Sequence, residues 1–419
     1  MDKDDALALL QKKLSFDADE HNAIKLLQAL DYMPLAITQA AAYIEQRAPR
    51  MTISRYLDEI RRSDHDQARL LKKDVGDSRR DGRASNSIIA TWQISFEHIR
   101  KDLPTAARLL SLMSLFDRQG IPESLLYNRY QRDGDKEADF EEDIHTLTSY
   151  SLVKMNEDGN EFEMHRLVQF SMKKWLELYD ELDGWKGTYV TLMDDSYPVG
   201  LHKNWTVCQA LFPHAQAVVA CRPTDIKPLE AWASVLFKAA WYTSEIGNYQ
   251  VAQEMGLSAL EAREATLGAE HLDTLNSVNS IGLVLSWQGK YKEAEIMHRR
   301  ALEAKERVIG SEHPSTLTSM ANLASTYRNQ GRWKEAEELE VQVMETRKRV
   351  LGSEHPDTLT TMANLAYTWK HQSRNKEAIS LMESCFQLRR QILGSHHPDA
   401  QSSLEALNKW QIENMEIGP

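Results

Sequence analysis

Gly268-Ala-Glu-His-Leu-Asp-Thr-Leu275 recurs as Gly310-Ser-Glu-His-Pro-Ser-Thr-Leu317, as Gly352-Ser-Glu-His-Pro-Asp-Thr-Leu359, and as Gly394-Ser-His-His-Pro-Asp-Ala400. Each start follows the last by 42 residues, and a fixed period of this size marks stacked repeats. The glycine supplies the left-handed residue that ends a helix. Pro314, Pro356 and Pro398 stand where a first helical turn tolerates a missing N–H. Ser315, Asp357 and Asp399 then suit the positive end of the new helix. Leu272 replaces proline in the first copy, so that junction is expected to be the least sharply defined.

Each unit reads as two helices. In the clearest copy they run about Ser315–Gln330 and Arg332–Leu351, broken at Gly331. Leu317, Met320, Leu323, Ala324 and Tyr327 form one apolar stripe, and Trp333, Ala336, Leu339, Val343 and Met344 form another, both at helical spacing. Ala324 and Ala366, and Ala294, Ala336 and Ala378, recur where helices must approach closely.

The segment Asn322-Leu323-Ala324, Tyr327, Gly331, Trp333 and Ala336, with Asn364-Leu365-Ala366 and Ala378 in the next copy, resembles the tetratricopeptide repeat in the long form of kinesin light chains. The resemblance covers roughly residues 228–410 and implies an α-solenoid. Pro228–Gly247 with Tyr249–Leu267 fits a degenerate earlier unit, and Asp399–Trp410 a closing helix. The ordinary unit is about 34 residues, so the extra length is expected in the second helix and its loop.

The N-terminal part is also helical. Ala6–Leu14, Ala23–Leu30, Leu35–Ile44 and Thr52–Ile60 read as short helices. Met33-Pro34-Leu35-Ala36 resembles the "GLPLA" segment of NB-ARC ATPases, the nucleotide switches of NOD-like (STAND) receptors, with Tyr32 in place of the glycine. The resemblance implies a role for Pro34 against adenine. No G-x-x-x-x-G-K-[ST] loop is present; Gly289-Lys290-Tyr291 lacks the serine or threonine of that motif. Without that phosphate cradle, triphosphate binding has no basis in this chain. The expected reading is a lid remnant that follows an absent ATPase core.

Residues 63–84 are polar and mixed in charge and read as a linker. Beyond them come helices at Ser87–Ile99 and Ala106–Phe116, a third starting in Gly120–Leu126, and a fourth at Phe140–Leu147. A hairpin follows around Glu157-Asp-Gly-Asn160, then a helix at His165–Leu178. That order suggests a winged-helix domain. From Ser85 to Leu182 there are 11 Lys and Arg against 18 Asp and Glu, a surface that opposes phosphate binding. Thr91-Trp-Gln-Ile-Ser-Phe96, Leu110–Phe116 with Ile121-Pro-Glu123, and Met164-His-Arg-Leu-Val-Gln169 resemble the domain after NB-ARC in fungal tetratricopeptide proteins. His165 there implies the phosphate-sensing "MHD" histidine, with Arg166 replacing the acid.

The expected organisation is therefore mostly all-α. Residues 1–62 form the lid remnant, 63–84 the linker, 85–182 the winged helix, 183–225 a helical connector, 226–410 the tetratricopeptide array and 411–419 a tail. Lys and Arg number 50 against 62 Asp and Glu, a net charge of −12, which argues against nucleic acid or an anionic membrane as partner. Three cysteines (Cys208, Cys221, Cys385) make no framework and point to a reducing, cytoplasmic setting. The charged N-terminus has no apolar signal region, and no run reaches a membrane span.

No catalytic pattern emerges. His396-His397 and the recurring His271, His313 and His355 suggest a metal tract, but the repeated ones occupy one junction position each, 42 residues apart, which speaks for loop packing over a shared ion. There is no C-x-x-C and no G-x-S-x-G, so no enzyme, metal or cofactor is expected. Function falls to the concave face, where residues recur every 42: Thr318 and Thr360, Asn322 and Asn364, Ser325 and Tyr367, Arg328 and Lys370, Asn329 and His371. The asparagine amides can donate to and accept from a peptide backbone, and the two cations are expected to favour an acidic segment. The reading is a scaffold for a protein or peptide partner in STAND signalling, with self-association through the repeats as a further use. A cargo adaptor of kinesin-light-chain type is the alternative, and a nucleotide-driven switch the weakest.

Overall fold

The structure is a computed structural model that describes residues 2–14, 20–30, 32–60, 82–131 and 139–416; of 82–90 and 414–416 it describes the backbone alone. The expected linker lies almost wholly outside the described residues. Two compact units form: Met1–Pro198 with Lys203–Val235, and Val199–His202 with Leu236–Pro419. The division falls inside one helix, Ile226–Glu245.

In the first unit α1 (Lys3–Lys13), α2 (Glu20–Ala29), α3 (Pro34–Gln46) and α4 (53–60) precede α5 (Gly82–Asp102) and α6 (Pro104–Met113). Pro34 opens α3 at its first turn, and Tyr32 has φ 53, the left-handed conformation that favours glycine. That is the glycine position of the resembled segment. A third helix was expected from Gly120; instead Ile121–Pro122 is a strand, β1, followed by a short 3-10 turn at Glu123–Leu125. Proline fixes an extended entry there, and Ile121 is sealed against the hairpin. α7 (Phe140–Ser149), β2 (Val153–Met155), β3 (Glu161–Met164) and α8 (Arg166–Leu178) complete the winged-helix segment. The sheet order is β1-β3-β2, both pairs antiparallel, with Ile121 and Met155 both opposite Phe162.

The core of this unit is aromatic. Trp92 lies flat on Phe96 at 5.1 Å, and Phe96 meets Trp175 edge-on at 4.9 Å. Helices α9 (Leu182–Ser196) and α10 (Trp205–Val218) follow, with α11 (Ile226–Glu245) leading out.

The second unit is a row of helix pairs. First helices are α13 (Leu272–Trp287), α15 (Pro314–Asn329), α17 (Pro356–His371) and the closing α19 (Pro398–Glu416). Second helices are α12 (Tyr249–Thr266), α14 (Tyr291–Ile309), α16 (Trp333–Val350) and α18 (Asn375–Leu393). The full first helices hold 16 residues and the second 18 or 19, so the added length of the repeat lies in the second helix.

The repeated histidine explains the sharp junctions. His271, His313, His355 and His397 each accept, at Nδ1, the backbone N–H two residues on, at 3.1–3.2 Å. They are helix N-caps, and each spends its nitrogen on an orphan donor. The first junction, expected to be loose for want of proline, has the same cap geometry as the rest. The cap fixes the start; the proline only suits it.

Each pair buries its stripes against the next. Leu317, Met320, Leu323 and Tyr327 meet Ala336, Val343 and the preceding Leu302. Leu359, Met362 and Ala366 meet Ala378, Met382 and the following Leu407 and Trp410. Trp333 departs from expectation. It is half-buried and lies outside this cluster, its ring stacked on His371 at 4.3 Å and 9°. Successive first helices pack on one another (α13 on α15, α15 on α17) more closely than successive second helices do. The first-helix row is thus the inner, concave side of the array.

No helix among the described residues is long and apolar enough to cross a membrane.

Candidate functional site

The concave row carries the residues that the sequence singles out, in unequal states. Thr318 and Thr360 are exposed, each donating to the carbonyl four residues back (Pro314 and Pro356, both 3.0 Å). Asn322 and Asn364 are half-buried. Asn322 donates Nδ2–H to Asn279 Oδ1 at 3.3 Å, whereas the Asn364 side chain makes no hydrogen bond among the described residues. Ser325 accepts from Arg328 at 3.4 Å, and Tyr367 meets Trp410 edge-on at 5.1 Å. Asn329 and His371 are exposed, His371 serving as the platform for Trp333.

The two cations expected to attract an acidic ligand already have carboxylates. Arg328 Nη1 lies 3.6 Å from Glu340 Oε1, and the Glu340 side chain is only 3% exposed. The same Nη1 donates to the Asn364 carbonyl at 3.4 Å. Burial pushes Glu340 above the usual carboxylate range, and the hydrogen bond from Thr368 at 2.6 Å and the Arg328 charge pull it back. Lys370 Nζ lies 2.9 Å from Glu413 Oε2 and 5.9 Å from the centre of the Trp410 ring. Neither cation is an unpaired charge.

A second row of cations, not singled out from the sequence, lies beneath the face. Arg263, Lys305, Arg347 and Arg389 recur at 42 residues on the second helices, and all are buried. Arg347 Nη1 donates to the Asp357 carbonyl (3.0 Å) and Thr361 Oγ1 (2.8 Å), and Nη2 to Thr318 Oγ1 (3.2 Å). Arg389 repeats this with the Asp399 carbonyl (3.1 Å), Ser403 (2.9 Å) and Thr360 (3.4 Å). Arg263 holds the Asp273 carbonyl and Ser277 in the same way. Lys305 Nζ reaches Asn276 Oδ1 at 3.0 Å, the position equivalent to Thr318.

For Lys305, Arg347 and Arg389 no carboxylate lies within ion-pair distance among the described residues; neutral oxygens carry the contacts. Burial pushes the Lys305 ammonium down to about 8 and lowers Arg347 as well, the Asp357 charge opposing it. The signal that could have found this row was a cation at the same repeat position in four copies. It was missed because a buried charge is rare unless paired.

Other repeated bonds tie pair to pair. Gln288, Gln330 and Gln372 donate to the carbonyls of Tyr249, Tyr291 and Trp333 at 3.1–3.2 Å. Arg332 bridges Glu295 and Glu335, and Arg374 bridges Glu337 and Glu377.

This repeated geometry meets its family in the comparisons. Residues 230–306, 274–349 and 358–399 match models described as tetratricopeptide repeat. The array is a tetratricopeptide-repeat array. Residues 96–178 match a domain of unknown function (DUF7779), over most of the winged-helix segment. A nucleotide-binding leucine-rich repeat (NLR)-like protein of Hyaloscypha variabilis is 38% identical over 275 residues, 65% of this chain. The chain spans 27% of that relative's length. Among solved structures, the kinesin light chain nearly identical TPR-like repeats of Podosopora anserina are 26% identical. They cover 46% of this chain and 90% of theirs, with a TM-score of 0.40. A STAND protein with a tetratricopeptide repeat sensor from Pyrococcus horikoshii is 12% identical, covering 100% of this chain and 66% of its own, at a TM-score of 0.29.

Outside the tetratricopeptide array, the two residues of nucleotide-sensor resemblance both start helices. Pro34 opens α3, and His165 Nδ1 accepts the Leu167 N–H at 3.2 Å as the cap of α8. Burial, with Arg118 and Lys154 near by, lowers the His165 pKa and keeps the ring in the neutral form that can accept. Among the described residues no group of three or more His, Cys, Asp or Glu is set to hold a metal ion. The tetratricopeptide fold is a protein-interaction scaffold, and the concave row is its candidate surface.

Proposed function

We propose that the concave face formed by α13, α15 and α17 binds an extended, acidic protein segment. The observation that carries this is the row of Lys305, Arg347 and Arg389, buried cations met by neutral oxygens beneath the face. Each donates to the polar side chain at the head of the groove, Asn276, Thr318 or Thr360. A carboxylate laid along that line gains attraction in a setting screened less than open water. Asn322 and Asn364 supply grip on the ligand backbone, independent of its sequence. Arg328 and Lys370 contribute less than their charge suggests, because an acidic ligand must compete with Glu340 and Glu413.

The NLR-like relative supports a place for the chain in STAND-type signalling, with the array as the arm that meets the partner. The test is a peptide array probed with the full chain. Thr318→Glu with Thr360→Glu sets a carboxylate beside Arg347 and Arg389 and should abolish the preference for acidic peptides. Asn322→Ala with Asn364→Ala should weaken all peptides alike. Selection of the same acidic peptides by the Thr→Glu pair as by the wild type sinks the reading.

A further inference from the structure

The two groove asparagines are equivalent in sequence and unequal in structure, and the difference traces to the second helices. One buried position recurs there as Gly256, His298, Glu340 and Met382. His298 is 0% exposed, and its ring occupies the space left by Gly282, where a β-carbon would come within 2.6 Å of it. Nδ1 lies 3.1 Å from Asn279 Oδ1. That oxygen also accepts from Asn322 Nδ2 at 3.3 Å. Because Oδ1 can only accept, Nδ1 must carry the proton. Nε2 is then a bare acceptor, buried without a hydrogen-bond partner.

The chain of contacts runs in one direction, from His298 Nδ1–H to Asn279 Oδ1, with Asn322 Nδ2–H converging on the same oxygen. It turns the Asn322 amide so that Nδ2 is committed inward. Its Oδ1 accepts nothing from the described residues. In the next copy Ala321 stands at the Asn279 position and Glu340 at the His298 position. No such relay reaches Asn364.

We propose that His298 is the positioning residue of the groove: through Asn279 it fixes Asn322 as an acceptor for a ligand N–H, while Asn364 turns freely to either polarity. This rests on the concave face being the binding surface. Burial depresses the His298 pKa to about 4 and keeps the ring neutral at neutral pH, with Nδ1–H as the donor to Asn279. The specificity that follows is local. The groove reads a backbone or side-chain N–H beside Asn322 and is indifferent beside Asn364.

The experiment has two arms on the full chain. In the first, isotope-labelled asparagine reports the side-chain amide protons of Asn322, assigned by their loss in Asn322→Ala. In the free protein His298→Leu should collapse the separation of the two amide protons, and His298→Gln, whose amide can donate to Asn279, should restore it. In the second, an array of acidic peptides is probed. His298→Leu should weaken retention about fivefold, the scale of one lost hydrogen bond, and should add nothing in an Asn322→Ala background. An unchanged Asn322 amide pair in His298→Leu, or an equal loss of binding with and without Asn322, overturns the positioning role. If the wild type retains no peptide while the amide pair still follows His298, the binding-surface reading falls and the relay stands. Thermal melts of both variants identify any loss that is merely unfolding.

Discussion

Asp143 and Arg347 are both charged groups sealed in helical cores, and they are held in different ways. Asp143, in the N-terminal unit, accepts from Tyr130 at 2.7 Å and Thr105 at 2.6 Å, partners drawn from separate elements and used once. Burial raises its pKa, and these two donors oppose the rise. Arg347, in the array, donates to groups 10 and 14 residues ahead, and Arg263 and Arg389 make the same contacts. The first unit is built from singular long-range contacts, the second from one local contact set repeated. It follows that damage in the first should spread through its single core, while damage in the second should stay with neighbouring pairs.

Trp92→Ala tests the first half of that contrast and should have the largest effect. Trp92 is fully buried and stacked on Phe96, which in turn meets Trp175. A large-to-small change of this kind costs about 3–5 kcal/mol. Calorimetry should show the transition of the N-terminal unit shifted well down and that of the array nearly unmoved. A loss below about 1 kcal/mol means that the aromatic stack is not the core of the unit.

The next effect, in the array, is set by pH. His298 is driven down from 6.5 to about 4 by burial, so the unfolded chain takes up its proton first as pH falls. Its contribution is whole above about pH 6.5 and is lost progressively as pH falls toward about 4. The shift corresponds to about 3 kcal/mol. His298→Gln removes the titration, so the stability gap between variant and wild type should move by that amount across the window. A gap that stays constant with pH means that the imidazole titrates normally in the folded protein.

How much of this was legible follows the same contrast. The helix pairs, their breaks and their period were readable because each signal is repeated and local, and the helix limits observed for α15 and α16 differ from those expected by one residue at each end. The first unit has no such redundancy. There a proline-bearing strand at Ile121–Pro122 passed for a helix start, since its partner Phe162 lies 41 residues on and only the fold brings them together. Within the site, the face was readable from periodicity, but the pairing of Arg328 with Glu340 was not. Glu340 sits among charged neighbours on a helix that reads as solvated, and its burial depends on the packing of two pairs. Trp333 was misplaced for the converse reason: an apolar position at helical spacing also fits a half-buried ring against His371.

Trp333→Ala therefore sharpens the array side of the contrast with a moderate effect. The ring is half-buried and its main aromatic neighbour is an exposed histidine, so the loss should be about 1–2 kcal/mol. Chemical denaturation of the full chain would measure it. A loss as large as that of Trp92→Ala would put Trp333 in the core after all.

The smallest effect should come from Arg349, two residues along the same helix from Arg347. Arg349 donates to Glu312 at 2.9 and 2.5 Å, and hydrogen bonding holds the glutamate below and the arginine above their usual ranges. Both side chains are more than half exposed, so the pair works in water, is screened by salt, and is of the kind that contributes little. Arg347 is the opposite case, with backbone and hydroxyl groups that nothing replaces if it is removed. Arg347→Met should cost about 2 kcal/mol, the scale of leaving those groups unmet. Arg349→Ser should leave the melting temperature within reproducibility at high salt and shift it only slightly at low salt. Thermal melts of both variants at the two salt concentrations decide it. If Arg349→Ser destabilises the array as much as Arg347→Met does, with no dependence on salt, then the exposed ladder holds the pairs together and the buried cations do not.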